Sequence, residues 1–175
     1  MTLENSQNEH NTILKGLNAA NPDIVLDAID ALRALGKTSD IPVLLDLLLK
    51  SRNADVKARI TGLFSNLKDK ETIPMLVNAI QDKKYEEVLQ QLVSSCWENG
   101  LDYTPYLPVF VDLLIEKDFI IAFEAYTVIT NMEKAIDQRL LDVEIEKLDK
   151  AMHSTTSEKK ALMLDVIDFL PSIGY

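Results

Sequence analysis

The sequence predicts an all-α fold, an α-α superhelix of about ten helices in antiparallel pairs. Stripes of apolar residues recur at helical spacing, and the pattern returns with a period near 32 residues along most of the chain. Glycine and proline are scarce, with 5 and 6 residues among 175, which leaves little material for the tight turns of a sheet. These observations favour stacked helical repeats.

The unit over residues 53–82 shows the pattern most clearly. Its first half has apolar residues three and four positions apart, typical of a helix with one buried face, at Val56, Ile60, Leu63, Phe64 and Leu67. After a short polar turn, a second and shorter stripe follows at Ile73, Leu76, Val77 and Ile80. Neither helix can bury its stripe alone, so we expect the pair to pack as a hairpin against neighbouring hairpins.

The same two stripes recur in register along the chain. First helices are predicted at 24–35, 56–67, 88–96, 121–132 and 162–173, with repeat anchors at Ile24, Val56, Val88, Ile121 and Leu162. Second helices are predicted at 41–48, 73–80, 107–114 and 141–152. A turn lengthened over residues 101–106 is expected to expose Tyr103 and Tyr106. A fixed period with two helices per unit is typical of an α-solenoid.

Residues 9–175 are predicted to form one repeat domain, preceded by a disordered tail over residues 1–8. The domain begins with a short helix whose polar side, including His10, faces solvent and whose narrow apolar stripe consists of Ile13, Leu14 and Leu17. Three first helices have good N-cap residues three positions before their anchors, at Asn21, Asn53 and Asp118.

Three features within residues 12–173 indicate a family. They are the Asp55-Val56-Lys57 opening, small or apolar residues at Ala28, Ile60 and Ala125, and the pairs Ile41-Pro42 and Ile73-Pro74. In these features the chain resembles HEAT-like repeat proteins, of the short bacterial type with units of roughly thirty residues. The resemblance implies that second helices line a concave face. It also implies an alternative function, a HEAT-like enzyme or enzyme-accessory protein that is chromophore-lyase-like or DNA-glycosylase-like.

Charge and composition limit the classes of partner that we expect the protein to bind. The chain has 18 Lys and Arg against 28 Asp and Glu, a net charge of −10, which repels phosphate and argues against nucleic acid. No apolar run approaches the roughly 20 residues of a membrane span, so no membrane is expected. The polar, acidic residues 1–10 do not resemble a signal peptide. A single cysteine fits a reducing compartment, and we expect the protein in the cytoplasm.

The sequence offers no residue set for catalysis, a metal or a cofactor. His10 and His153 lie far apart and lack the spacing typical of metal ligands. Cys96 falls on a core stripe, where a buried and inert thiol is the common case. The 5 glycines are isolated, so no phosphate-binding loop is expected. The sequence therefore predicts a protein that is not an enzyme and has no cofactor.

Non-core positions of the second helices form the predicted partner-binding surface. One column is apolar, at Val43, Met75, Val109 and Val143, and the next is mostly acidic, at Asp46, Asn78, Asp112 and Glu146. Apolar side chains beside acids suit a protein or peptide segment that bears Lys or Arg. The sequence thus favours a non-enzymatic interaction or scaffold module. The alternative is that adjacent helices cover the apolar column and the acids serve solubility.

The last first helix, over residues 162–170, has no second helix to cover it, because Pro171 ends it close to the end of the chain. Apolar surface beyond the core stripe is added by Met163, Leu164 and Ile167. Exposed patches of this kind mark interfaces, so one expectation is a homodimer through this helix. A purely structural oligomer is a further alternative function. Against self-association stands the alternative that Ile173 and Tyr175 fold back over the helix.

Overall fold

A computed structural model describes residues 3–174 and confirms the all-α prediction. Ten α-helices follow one another in this range: α1 Leu3–Gly16, α2 Pro22–Leu35, α3 Ile41–Lys50, α4 Ala54–Phe64, α5 Ile73–Gln81, α6 Leu89–Glu98, α7 Leu107–Glu116, α8 Phe119–Thr130, α9 Gln138–Ala151 and α10 Ser157–Phe169. Within the described residues there is no β-strand, and only an isolated bridge pairs Ile136 with Gly174. No helix in this range is both long and apolar enough to cross a membrane.

Side-chain caps fix where three of the helices begin. Asn21 and Asn53 each accept a hydrogen bond of 2.9 Å from the backbone N–H two residues further on. Asp118 accepts one of 3.1 Å from the N–H of Ile121. Each bond satisfies a donor that the first helical turn would otherwise leave free. The three predicted N-caps are therefore confirmed.

Helices that follow one another in the chain pack together as α1 with α2, α3 with α4, α5 with α6, α7 with α8, and α9 with α10. Between α7 and α8 the connection consists of Lys117 and Asp118 alone, so α8 must run back along α7. This pairing thus joins each second helix to the next first helix, one step along from the hairpins that the repeat pattern suggests.

Helices also stack in two rows along the chain. In the first row α2 packs on α4, α4 on α6, α6 on α8 and α8 on α10. In the second row α3 packs on α5 and α7 on α9, whereas α5 and α7 lie further apart. Each pair thus contacts its neighbours in the chain, as is typical of helical repeat arrays. One continuous core runs through the array, and its largest fully buried side chains include Phe64, Phe110, Ile60 and Leu76.

Polar contacts spaced about one repeat apart join the turns of successive pairs. Thr38 Oγ1 donates a 2.7 Å hydrogen bond to Asp69, 31 residues further on. Lys68 Nζ donates one of 2.9 Å to the carbonyl of Asn99, again 31 residues further on. Such bonds recur only if equivalent turns lie side by side, so they support the repeat register.

The predicted N-terminal tail over residues 1–8 is wrong for residues 3–8, which belong to α1; residues 1 and 2 lie outside the described range. His10 is also not a surface residue, since it is 6% exposed and its Nε2 lies 3.0 Å from Asp40 Oδ1. Leu17, directly after the C-terminal end of α1, is also buried. These two anchors hold the helix against the array, and extending an anchored helix is easier than nucleating a new one.

The predicted core register shifts at the N-terminal end of the array. The buried face of α2 consists of Val25, Ala28, Ile29 and Leu32. The predicted stripe residues Ile24 and Leu35 are instead 49% and 45% exposed. In the first row α2 has α4 on one side and no earlier first helix on the other. Part of its apolar stripe therefore stays uncovered.

The lengthened turn at residues 101–106 turns its tyrosines inward. Tyr103 is 2% exposed, and its ring meets Phe110 edge-on, with ring centroids 5.8 Å apart. Its hydroxyl accepts a 3.0 Å hydrogen bond from Asn99 Nδ2, and Tyr106 is half-buried. The expectation that both tyrosines are exposed is wrong, because a ring whose hydroxyl has a partner packs well in a core.

The chain itself covers part of its C-terminal end. After α10, the 3-10 turn Leu170–Ile173 folds back, and Leu170 is fully buried. The carbonyl of Ile173 accepts a 2.9 Å hydrogen bond from the N–H of Ile136, which precedes α9. The alternative of a folded-back tail therefore holds for Ile173, while Tyr175 lies outside the described residues.

One of the three residues of the predicted self-association surface on α10 is not exposed. Met163 is fully buried, so it belongs to the core and its assignment to an exposed surface is wrong. The helix is rotated so that Met163 and Val166 face α8, which leaves the predicted anchor Leu162 half-buried. Leu164 is 46% exposed and Ile167 is half-buried. What remains exposed is a single large side chain and part of a second.

Candidate functional site

The predicted apolar column lies on the second-row helices, but its members differ in exposure. Val43 is 41% and Val143 is 50% exposed, whereas Met75 and Val109 are half-buried. The wider separation of α5 and α7 falls between Met75 and Val109. The four residues therefore do not form one continuous stripe.

Asp46 is not a free acid. Its Oδ1 accepts hydrogen bonds from Lys84 Nζ and from the Tyr85 hydroxyl, the latter at 2.8 Å, and Lys50 Nζ lies 3.7 Å from its Oδ2. The hydrogen bond from Lys84, aided by that from Tyr85, lowers the pKa of the Asp46 carboxyl. The same contact with Asp46 raises the pKa of Lys84. Two lysines already balance this carboxylate, which leaves little charge to attract a basic partner.

The other predicted acids are paired in the same way. Asp112 Oδ1 lies 3.2 Å from Lys147 Nζ. Glu146 accepts a hydrogen bond from Lys150, which lowers the pKa of Glu146. Asn78 is exposed and uncharged. Each of the three predicted acids thus has a lysine within ion-pair distance, and the predicted acidic column is not a free negative strip.

A buried carboxylate lies beneath one of these pairs. Glu144 is 1% exposed and stands between the core residues Leu141 and Leu148 on α9. Lys147 Nζ lies 3.1 Å from Glu144 Oε2, so one lysine bridges this acid and Asp112 on α7. Apolar periodicity could not identify this residue, because Glu144 occupies a position where the stripe would place a hydrophobe.

Between α5 and α7 the second row opens into a groove of about 250 Å³, here called the α5–α7 groove. Its floor is apolar and consists of Ile80, Val109 and Leu113. Its rim is polar and consists of Gln81, Lys83, Glu86, Asp112, Glu116 and Lys117. Sites for small molecules usually measure about 300–1,000 Å³. The groove is smaller, and its volume suits one or two side chains of a protein partner.

A larger cavity, of about 360 Å³, lies between the turns of the first two repeats. Its polar lining is already bonded within the chain. Thr38 donates to Asp69, and Lys68 donates to a backbone carbonyl. Asp40 is hydrogen-bonded to His10. These groups stabilise the joint between two repeats, so the cavity offers few free partners to a ligand.

Cys96 has the environment of a structural thiol. It is 1% exposed, and its Sγ donates a weak hydrogen bond of 3.4 Å to the carbonyl of Leu92. Burial raises the pKa of the Cys96 thiol to about 12. Because the thiolate is the nucleophile, this thiol is unreactive near neutral pH.

Lys159 is a buried lysine that closes the end of a helix. Only 8% of it is exposed, and its Nζ donates two hydrogen bonds of 2.7 Å, to the carbonyls of Ile115 and Lys117. Desolvation lowers the pKa of this ammonium group. The two bonds satisfy carbonyls that the C-terminal end of α7 leaves free, so the lysine acts as a cap. In the described part of the chain, no three or more His, Cys, Asp or Glu residues cluster as metal ligands would.

The outer face of α8 is a functional candidate that the repeat pattern did not indicate. Phe119, Ile120 and Phe123 are 46%, 55% and 47% exposed, although they are large and apolar. The signal was present in the sequence, since this helix is apolar on every side rather than along one stripe. A helix of that kind is either fully buried or has an outer face that another surface covers.

Comparisons with known proteins address the fold and nothing beyond it. No family model matches the chain, and no curated protein matches it. A solved structure of an engineered protein, a target of the Northeast Structural Genomics Consortium, is similar to it with a TM-score of 0.50 and 17% sequence identity. The match covers 95% of this chain and 81% of that chain. Likeness at this level of identity supports the all-α fold alone.

Proposed function

We propose that the chain is a HEAT-like solenoid protein that acts, without catalysis, as a protein–protein interaction or scaffold module. A segment of a partner protein binds in the α5–α7 groove on the second row of helices. The observation that carries this proposal is the groove itself, an opening with an apolar floor and a polar rim between two helices of the second row. Two buried nucleophiles, Cys96 and Lys159, are each committed to hydrogen bonds within the fold.

Val109 is the expected anchor point for the partner. It is half-buried on the groove floor between Ile80 and Leu113, and its remaining apolar surface faces the opening. A partner side chain that fills the floor would remove this surface from water, which contributes roughly 25 cal/mol per Å² of apolar area. Apolar contact at the floor is therefore the expected source of affinity.

The charged residues on the rim of the α5–α7 groove determine which charge a bound partner can carry there. Lys117 pairs with Glu86 at 2.7 Å, and Asp112 pairs with Lys147 at 3.2 Å. Among the described residues, Glu116 has no lysine or arginine within ion-pair distance, so one basic side chain of the partner has a place beside it. The net charge of −10 disfavours nucleic acid and anionic membranes as partners. The single cysteine is free and buried, which fits the reducing cytoplasm as the proposed location.

Matched substitutions on two second-row helices test the groove. Val109→Glu places a charge on the groove floor, whereas Val143→Glu places the same charge on α9, outside the groove. Each variant and the wild type would be used to capture partners from native lysate, with quantitative mass spectrometry of the captured proteins. We expect a partner that wild type and Val143→Glu retain and that Val109→Glu loses by about tenfold or more, because a desolvated charge opposes binding.

The two variants must first melt within a few degrees of the wild type, so that the loss reports on binding. Equal capture by Val109→Glu and wild type would remove the groove from the proposal. Capture that Val143→Glu also abolishes would move the partner to the α9 face of the same row.

A further inference from the structure

The outer face of α8 carries a continuous aromatic surface. The inner face of this helix is buried and consists of Ala122, Ala125, Val128 and Ile129. On the outer face, the Phe119 and Phe123 ring centroids are 6.3 Å apart, and those of Phe123 and Tyr126 are 6.0 Å apart. Ile120 stands beside them and is 55% exposed. Three of these four side chains are about half exposed, which is unusual for large apolar residues that serve the fold alone.

Neighbouring first-row helices extend this surface on both sides. On α6, Trp97 is 39% exposed, and its Nε1 donates a 2.8 Å hydrogen bond to Glu124 of α8. On the other side, the Tyr126 hydroxyl donates to Asp165 of α10. These cross-helix bonds hold Trp97 and Tyr126 in place against α8. We call the set Trp97, Phe119, Ile120, Phe123 and Tyr126 the aromatic patch.

The carboxylates around the aromatic patch differ from those of the second row. Asp118 lies at the N-terminus of α8, Glu124 beside Trp97 and Asp165 beside Tyr126. Among the described residues, none of these three carboxylates has a lysine or arginine within ion-pair distance. The second-row acids Asp46 and Asp112, by contrast, each have a lysine there. The Lys159 ammonium interacts electrostatically with Asp118, so the unbalanced charge belongs to Glu124 and Asp165. The patch thus combines exposed apolar surface with two carboxylates that no lysine or arginine balances.

We propose that the aromatic patch is a docking surface for a cationic amphipathic segment of another protein, a short helix with aliphatic side chains on one face and Lys or Arg at its edges. Aliphatic side chains would cover Phe119, Ile120 and Phe123. Cationic groups would meet Glu124 and Asp165, and the aromatic faces favour cations further. From Phe119 to Tyr126 the patch is about 10 Å long, so two to three turns of helix cover it.

Charge complementarity selects this occupant. A second copy of the chain would bring its own three carboxylates and a net charge of −10 to the same surface, and like charges oppose a symmetric dimer. An anionic lipid surface is repelled for the same reason. The patch lies on the first row and the α5–α7 groove on the second, so this surface is distinct from the proposed groove site.

A designed peptide provides the probe. A helical peptide of Leu and Lys, about 14 residues long and without Trp, would be titrated into the full chain by calorimetry and by the fluorescence of Trp97. We expect saturable binding that weakens as salt increases. The double variant Ile120→Ser/Phe123→Ser should bind about tenfold more weakly or worse, because central apolar anchors dominate such interfaces.

Further variants test two questions separately: whether charge contributes to peptide binding, and whether the peptide binds at the aromatic patch. Glu124→Gln/Asp165→Asn keeps acceptors for Trp97 and Tyr126 but removes two charges, so we expect weaker binding with a smaller salt dependence. Val143→Ser removes a valine that is 50% exposed on the second row and should leave the affinity unchanged.

Several outcomes would overturn the proposal. Peptide affinity that survives Ile120→Ser/Phe123→Ser, or that falls equally in Val143→Ser, would show that the peptide does not occupy the patch. A wild-type dimer at micromolar concentration that Ile120→Ser/Phe123→Ser converts to a monomer would make a second copy the occupant. Binding to phosphatidylserine vesicles that the same variant abolishes would make it a membrane surface. If the groove experiment fails and the peptide experiment succeeds, the aromatic patch remains supported as a docking surface.

Discussion

At the scale of single residues, the stability of this protein depends strongly on buried polar side chains. Cys96, Asn99 and Tyr103 lie together beneath the lengthened turn at residues 101–106. The Asn99 side chain donates both to the Tyr103 hydroxyl and to the carbonyl of Phe64, so the cluster ties the turn to α4. Such groups stabilise a core only while they stay neutral and bonded. Their protonation state should therefore control stability at high pH.

The titration of Cys96 allows this dependence of stability on pH to be tested. Burial raises the pKa of its thiol from near 9 to about 12, so on raising the pH the unfolded chain loses this proton first. The contribution of the neutral thiol to stability is complete below pH 9 and is lost as the pH rises towards 12. From this group we expect the free energy of unfolding to fall by about 1 kcal/mol per pH unit in that window. Burial also raises the pKa of Tyr103, so it adds to the loss above pH 10.

Urea unfolding of the wild type and Cys96→Ala between pH 8 and pH 11 checks this prediction. The variant should start less stable, because its methyl group leaves part of the thiol site empty, but its stability should decline less steeply. Parallel curves for the two proteins would mean that Cys96 is not the titrating group. Slow modification of the native thiol at pH 8 is the accompanying expectation.

At the scale of elements, α1 is held by a buried polar pair as well as by apolar contact. His10 Nε2 meets Asp40 Oδ1 at 3.0 Å, and Asp40 Oδ2 also accepts from the N–H of Lys37 at 2.7 Å. Asp40 therefore fixes the turn before α3 and the middle of α1 together. An anchor of this kind explains why a helix with a narrow apolar stripe reaches back to Leu3.

Removing the histidine should loosen α1 selectively. His10→Ala leaves Asp40 Oδ1 buried without its partner, at a cost of about 1–3 kcal/mol. Hydrogen exchange should then accelerate in α1 while the amides of α6 to α8 stay protected. Asn11→Ala, an exposed neighbour on the same helix, is the matched control and should change neither. Equal acceleration throughout the chain would show that the pair stabilises the whole array instead.

Much of the element structure was predictable because it depends on local and periodic signals. The N-caps at Asn21 and Asn53 and the stripes around Phe64 and Phe110 are where the sequence places them. Residues with longer-range partners were not predictable. The inward turn of Tyr103 has no counterpart in the repeat period. The repeat register does not predict the candidate site either, because the α5–α7 groove arises from unequal packing of second-row helices.

Charge pairing was the other unpredictable property of the site. Asp46 is compensated by Lys84, which lies 38 residues away and in a different turn. An alignment of repeat positions places Asp46 and Asp112 in one column, but it carries no information about which lysines reach them. The same limit hid Glu124 and Asp165, whose partners are Trp97 and Tyr126 rather than cations.

Viewed as a whole molecule, the array has two proposed binding surfaces on opposite rows, and its first and last helix pairs are covered differently from those between them. At the N-terminal end Ile24 and Leu35 stay partly exposed. At the C-terminal end the turn Leu170–Ile173 acts as a cap on the last pair. Stacked repeats are stabilised by their neighbours, so capping of the terminal units governs whether such an array remains a monomer.

Gly174 is the residue that lets this cap close. A Cβ added there would lie 2.9 Å from Leu141 Cδ1 and 3.0 Å from Gln138 Oε1, so Gly174→Val must push these side-chain ends aside or shift the turn from α9. Leu141 is fully buried and has little room to move, so we expect the turn to shift. Displacement would break the bond from Ile136 to Ile173 and expose apolar surface such as Leu170 at the end of α10, the helix that carries the exposed Leu164. We therefore expect Gly174→Val to melt at a lower temperature than the wild type and to self-associate as its concentration rises.

Light scattering against concentration measures this directly. We expect the wild type to have the mass of one chain, 19.7 kDa, because the cap covers the end that α10 would otherwise present. Adding Leu164→Glu/Ile167→Glu to Gly174→Val should restore the monomer without restoring the melting temperature, since charge blocks the new contact but does not close the cap. A wild-type dimer that Leu164→Glu/Ile167→Glu dissociates would show instead that α10 is an interface even when the cap is closed.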